Sequence, residues 1–210
     1  TYTITPTLGT LSATNYDFAV FNSGSLVISK VHLSVTADNK SKPYDGSPYS
    51  AFTATLSGFV NGETDAGLRA ASALSGAAGF TGSAVGATDA ATYTITPTQG
   101  TLAATNYDFT LFNDGTLAIG QVTLTVTADN KSRQYSDPNP VLTYTVTGFV
   151  NGETSTVLTG APTLNTAATT ASAVGTYTIT ITQGTLSATN YSFSFVNGTL
   201  TVTKETASLL

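Results

Sequence analysis

Enzymatic chemistry needs titratable side chains that converge, and this sequence offers few of them. His32 is the one histidine in 210 residues. The segment around it recurs 91 residues later with Thr123 in its place, so neither a Ser-His-Asp triad nor a Cys-His pair can be built in both copies. Two carboxylate pairs do recur, Asp38 with Asp129 and Glu63 with Glu153, and paired carboxylates are what glycoside hydrolysis uses as acid and base. Each of them stands beside a turn-forming Asn or Gly, a setting that suits capping and turn hydrogen bonds better. Asp38-Asn39 and Asp129-Asn130 could hold calcium at a domain junction, but they lack the D-x-D-x-D-G spacing of a calcium loop. Lys40 and Lys131 lie in turn-like D-N-K-S segments, whereas a Lys-Asn cross-link needs a buried lysine. P-loop, G-x-G-x-x-G and zinc-ligand spacings are missing. Outward T-x-T rows could face ice only as long flat arrays, and twisted sheets give isolated rows. No catalytic, cofactor-binding or metal-binding residue is assigned, and no cofactor is expected.

A β framework carries these residues. Val31, Leu33 and Val35 alternate with His32, Ser34 and Thr36, and Leu142, Tyr144 and Val146 alternate with Thr143, Thr145 and Thr147. A period of two in β-branched and aromatic residues predicts strands with one face to a core and one to water. Tyr16, Phe18 and Val20 form such a face, repeated as Tyr107, Phe109 and Leu111 and as Tyr191, Phe193 and Phe195, and these aromatics are expected in the core. Asn22-Ser23-Gly24, Asn113-Asp114-Gly115 and Asn197-Gly198 separate that strand from a closing strand, which predicts a tight hairpin and a three-stranded antiparallel meander from T-Y-T-I-T onward. Residues 61–68 and 151–158 break the alternation and predict one or two helical turns on the sheet. Residues 70–78 are Ala-rich but interrupted by Gly76.

These elements repeat. TYTIT begins at Thr1, Thr92 and Thr176; VTADNKS begins at Val35 and Val126, 91 residues apart; GFVNGET recurs at 90, SAVG at 89, and the last TYTIT interval is 84. Each drop marks a deletion expected in a loop, the largest being the A-T-D-A-A stretch after Gly86. The phase predicts complete repeats at 31–120 and 121–204, the trailing third of a preceding repeat at 1–30, and a tail at 205–210. Each complete copy is long enough to bury a core of its own.

Composition narrows the function further. Charged residues make up 9% of the chain, net charge is −5 and the pI is near 4.5, so no basic stripe is available for a phosphate backbone. Mean hydropathy is +0.12 without any run of about 18 apolar residues, so no membrane insertion is expected. Cys, Met and Trp are absent, which fits an exported protein strengthened by sheet pairing rather than disulfides. Opening on Thr1 without an initiator methionine or signal peptide, the chain is expected to be a piece of something longer. The Asn39, Asn130, Asn190 and Asn197 sequons would matter only in a eukaryotic secretory pathway.

VTADNKSKPYDG, followed by GFVNGET, SAVGATDAATYTITPT, NYDF and NDGTLAI, resembles the tandem MBG and YDG-type domains of large bacterial surface proteins, including filamentous-haemagglutinin-like adhesins. The resemblance runs over the whole chain, although QYSDPNP replaces PYDGSP in the second copy. It implies an extracellular, mostly β module used in long arrays, without enzymatic activity or cofactor. The expected fold is therefore a series of small antiparallel or mixed β domains, β-grasp-like or sandwich-like, with at most one short helix each, arranged as an elongated rod. The expected role is a stalk or spacer in a bacterial adhesin. Two alternatives stand beside it: an adhesive module, with the variable loop 65–80 recognising a glycan or host protein, and a fibre subunit in which 1–30 complements a neighbouring chain. Expected partners are neighbouring repeats, a further chain through 1–30, or a glycan or host surface protein, with nucleic acid excluded.

Overall fold

The computed structural model describes residues 1–206. Strands dominate it, as the alternation of apolar and hydroxyl residues requires. The leading 30 residues contribute only β1 (Tyr2–Ile4) and β2 (Gly24–Leu26), an antiparallel pair in which Tyr2 faces Leu26.

The first full copy runs through β3 (Val31–Ala37), β4 (Lys40–Pro43), β5 (Ala54–Ser57), α1 (Asp65–Ala70), β6 (Leu74–Ser75), β7 (Gly79–Thr81), β8 (Thr92–Thr98), β9 (Ala103–Ala104), β10 (Tyr107–Asn113) and β11 (Gly115–Gly120). Its sheets have the orders β10-β3-β5, β4-β11-β8-β7 and β6-β9. The second copy repeats the plan with β12 (Val122–Ala128), β13 (Lys131–Gln134), β14 (Tyr144–Thr147), β15 (Thr163–Thr166), β16 (Gly175–Thr182), β17 (Tyr191–Val196) and β18 (Gly198–Thr203), in sheets ordered β14-β12-β17 and β13-β18-β16-β15. In β12 the buried residues are Leu124, Val126 and Ala128, the apolar members of the alternation. The second copy is sandwich-like: Val126 and Ala128 of one sheet pack with Ile179, Ile181 and Leu200 of the other.

The chain packs into two compact units. The first holds Thr1–Thr36, Ala54–Gly79 and Pro97–Asn113 around Leu33, Val35, Leu68, Leu74, Leu102, Tyr107 and Phe109. The second holds Ala37–Thr53, Phe80–Thr96 and the chain from Asp114 onward. One of its cores gathers Tyr44, Ile95, Leu117, Ile119, Leu124 and Tyr191, and the other is that of the second copy's sandwich.

Three local expectations are corrected. The meander does not form: the NYDF strand β10 lies parallel to the leading strand β3, and T-Y-T-I-T pairs antiparallel with the closing strand β11 directly. The second copy does the same, with β17 parallel to β12 and β18 antiparallel to β16. The Asn/Gly step is consequently no hairpin turn but the point where the chain changes sheets. Its glycine is required by close approach, since a Cβ at Gly115 would stand 2.5 Å from the Ala37 carbonyl oxygen, and one at Gly198 2.5 Å from that of Ala128.

Parallel pairing also explains why 16–21 is not a strand although its T-N-Y-D-F sequence matches that of β10. Among the described residues no leading strand of its own copy lies beside it, and Tyr16 is 81% exposed where Tyr107 and Tyr191 are each 2% exposed.

The third correction concerns the length difference between copies. Gly76 and Gly160 both have positive φ, and both press against the carbonyl of Thr101 or Thr185, pairs related by an offset of 84. The Ala77 N–H donates to Thr101 Oγ1 (3.0 Å) as Ala161 N–H does to Thr185 Oγ1 (3.1 Å). The offset of 84 thus already holds at Gly76, and the missing residues lie at α1, not after Gly86. The SAVG match is out of structural register: buried Ala84 has its counterpart in buried Ala168, not in Ala173.

The helical expectation is met unequally. In the first copy Thr64 caps α1 by accepting from Gly67 N–H, and Asp65 pairs with Arg69 one turn on (2.9 Å). The second copy has Ser155–Val157, whose β-branched Thr156 and Val157 support only a single 3-10 turn.

Candidate functional site

The polar residues singled out by sequence are placed as structural groups. His32 Nδ1 meets Asp108 Oδ1 at 2.5 Å on a water-facing surface of the first unit. Asp38 accepts the Thr53 hydroxyl, and Asp129 accepts those of Thr143 (2.5 Å) and Thr145 (2.9 Å). Those two hydroxyls hold the Asp129 carboxyl below the usual aspartate range. Asn39 Oδ1 accepts from Thr116 N–H (2.8 Å), and Asn130 Oδ1 from Thr199 N–H (2.8 Å). The Asp-Asn steps therefore lace each leading strand to its neighbours. Among the described residues no group of three or more His, Cys, Asp or Glu side chains has metal-site geometry.

Glu63 and Glu153 behave differently from the turn-capping role their neighbours suggest. Both follow an Asn-Gly pair in which Asn61, Gly62, Asn151 and Gly152 all have φ between +55° and +72°, as a type I′ turn demands. The turn is closed by Glu63 N–H to Val60 O and Glu153 N–H to Val150 O, each 3.0 Å. It throws the glutamate side chain inward onto a tyrosine. Tyr191 donates to Glu153 Oε2 at 2.5 Å, accepts from Val150 N–H at 3.2 Å, and stacks edge-on with Phe149 at 5.7 Å.

Within the second unit a further tyrosine completes this arrangement. Tyr44, at the end of β4 in the first copy, donates to Glu153 Oε1 at 2.6 Å and meets the Tyr191 ring edge-on at 5.7 Å. Its own N–H donates to Gly120 O (2.8 Å), which fixes the backbone that delivers it. Around this centre Asn190 receives Ala90 N–H (2.7 Å) and donates to Asp89 (3.0 Å), while Gln121 Nε2 donates to Thr189 O (2.9 Å). Gly46 lies so close to Asn151 that a Cβ there would sit 2.1 Å from Nδ2. One carboxylate thus clamps two phenols, one from each copy. The hydrogen bond to Glu153, burial and the glutamate's charge together push the Tyr44 hydroxyl up to about 12, and burial with the same glutamate raises Tyr191. Both phenols stay protonated and donating through the neutral range.

The first unit rebuilds the receiving half from its own residues. Tyr107 donates to Glu63 Oε2, accepts from Val60 N–H (3.1 Å) and stacks edge-on with Phe59 (5.7 Å). Sequence had marked Tyr107 and Tyr191 as core and Glu63 and Glu153 as turn residues. What it missed was Tyr44, whose signal is that K-P-Y and R-Q-Y keep their tyrosine while the residues after it change.

A receiving half built by both copies belongs to a tandem module. The model of the MBG domain (YGX type) matches residues 33–118 and 124–201. The chain belongs to the MBG domain family. The two matches fall one on each copy of the repeat, and MBG domains occur as repeats in surface and secreted proteins. No curated protein matches the chain. Among the described residues no helix is long and apolar enough to cross a membrane.

Proposed function

We propose that this pair of MBG repeats, 31–120 and 121–204, is a non-catalytic spacer in the stalk of a bacterial extracellular adhesin, where it projects a binding region away from the cell surface. The observation that carries this reading is the parallel pairing of each copy's first two strands with its last two. In the second copy β12 pairs in parallel with β17, Val122 facing Tyr191 through Thr127 facing Val196, and β13 pairs in parallel with β18. Tension along the chain pulls β12 toward the N-terminus and β18 toward the C-terminus. Parallel strands pulled from opposite ends are loaded in shear, so their hydrogen bonds share the force instead of opening one at a time. The first copy has the same arrangement in β3 with β10 and β4 with β11. Gln121 alone separates β11 from β12, and the Tyr44–Glu153–Tyr191 clamp spans that joint, which restricts bending where one copy hands force to the next. Neighbouring repeats of the same protein are its partners in this role. Small-angle X-ray scattering tests it: a compact 210-residue globule has a radius of gyration of about 17 Å, and the spacer requires a clearly larger value with the scattering of a rod. A radius at the globular value contradicts it.

A further inference from the structure

The delivering half of the joint, β4 with Tyr44, has its receiving half on Glu153. The first unit contains a second receiving half whose delivering strand is not among the described residues. By sequence β2 (Gly24-Ser25-Leu26) is the equivalent of Gly115-Thr116-Leu117 in β11. In the full copy β11 has β8 on one edge and β4, in parallel, on the other. β2 has β1 on the equivalent of the first edge, and its other edge carries no described strand. Among the described residues 16–21 have no parallel strand beside them, whereas their equivalents in β10 pair with β3. Exposure follows: Leu26 and Ile28 are 49% and 67% exposed where Leu117 and Ile119 are 0% and 4% exposed. Beside these strands an open cleft of about 560 Å³ reaches Val60, Asn61, Glu63 and Tyr107, the equivalents of the residues that receive Tyr44 in the second copy. Glu63 receives its own Tyr107 through Oε2.

We infer that residues 1–30 and this cleft form an acceptor for the two leading strands of a further copy of the repeat, with the sequence VHLSVTADNKSKPYDG. The first of these strands adds in parallel to 16–21 and turns it into a β10-like strand. The second adds in parallel to β2 and sets its tyrosine hydroxyl on Glu63 Oε1, which makes a second Tyr–Glu–Tyr clamp. This completion does not depend on whether the chain bears tension, so its failure and that of the spacer reading are distinct. Tyr135 shows that the delivering half is itself regenerated by each copy: its N–H donates to Thr203 O (2.9 Å) as that of Tyr44 does to Gly120 O, and its side chain is 42% exposed.

The test uses the intact chain, isotopically labelled for amide NMR, titrated with a synthetic peptide of residues 31–46. The expected result is saturable change confined to 16–28, 60–63 and 106–107, with amides at 16–21 becoming slow to exchange. A peptide carrying Tyr44→Ala should bind about tenfold more weakly, and Glu63→Gln in the chain should weaken the native peptide similarly. Glu153→Gln, at the filled site, should leave peptide affinity unchanged. Three results would each overturn the inference. One is no saturable change at millimolar peptide. Another is binding indifferent to the tyrosine. The third is a mass by light scattering that grows with chain concentration and does not fall when peptide is added, which would put a second copy of the chain at this edge.

Discussion

Glu153 is held by a short turn and holds two phenols, one from each copy, and within the second unit it ties the copies together beside their shared apolar core and the Asn190 hydrogen bonds. Replacing Tyr44 by Phe keeps the ring against Tyr191 and removes only the hydroxyl. Urea denaturation should show a loss of about 1.5–3 kcal/mol, the usual worth of a hydrogen bond to a charged group. The same hydroxyl makes the joint sensitive to alkali. Its pKa in the folded chain is about 12, above the ordinary tyrosine value of 10.0, so its contribution is fully present below pH 10 and is lost as pH rises through about 12. Tyr107 and Tyr191 shift in the same direction. The urea midpoint should therefore be level up to about pH 9–10 and fall steeply toward pH 12, and Tyr44→Phe should flatten part of that fall. A midpoint indifferent to pH over that window would show that the phenols carry no linkage. At this scale the sequence was half legible. The N-G-E-T turn could be read from its positive-φ dipeptide, but which side chain Glu153 meets depends on Tyr44, 109 residues earlier, and no local pattern encodes that.

Among the elements, most strands could be read from alternation, because one apolar face must be buried wherever the strand ends up. Their pairing could not. Alternation fixes which side of a strand faces a core and is silent on its neighbours, so N-D-G between two strands suggested a hairpin where the chain in fact changes sheets. T-N-Y-D-F is the sharpest case: at 105–109 its Tyr107 and Phe109 are buried in a strand, at 14–18 its Tyr16 and Phe18 are exposed in coil, with identical residues and a different set of partners. Register between copies was misplaced for a related reason, since S-A-V-G matches by letter while the glycine at the Thr101 and Thr185 carbonyls sets the true alignment. That glycine gives a test. A Cβ at Gly160 would lie 2.1 Å from Thr185 O with φ at +70°, whereas at Gly152, with φ at +71°, it would meet nothing within 4 Å. Gly152→Ala should cost about 1 kcal/mol, the left-handed penalty alone, and Gly160→Ala at least about 3 kcal/mol, as read from urea midpoints. Equal costs would place the close approach elsewhere.

At the scale of the whole molecule the tandem design was the most legible feature, because an offset near 90 residues repeated over several motifs has no simpler origin than duplication. The mechanical consequence was not legible, since it lies in the direction in which a copy's first two strands pair with its last two. It also makes the account testable by force. The chain contains no cysteine, so pairs can be introduced for attachment without interference. Held by its ends, each copy is loaded across parallel strands; held through Val174→Cys and Lys204→Cys, the second copy is loaded at one end of the antiparallel pair β16 and β18, whose bonds then open in turn. Single-molecule pulling in the two geometries is the most direct measurement. The account predicts discrete unfolding of each copy under end-to-end tension, with a length gain of about 30 nm per copy at about 3.6 Å per residue, and a markedly higher force than in the Val174–Lys204 geometry. Equal forces in the two geometries, or smooth lengthening without discrete events under end-to-end tension, would contradict it.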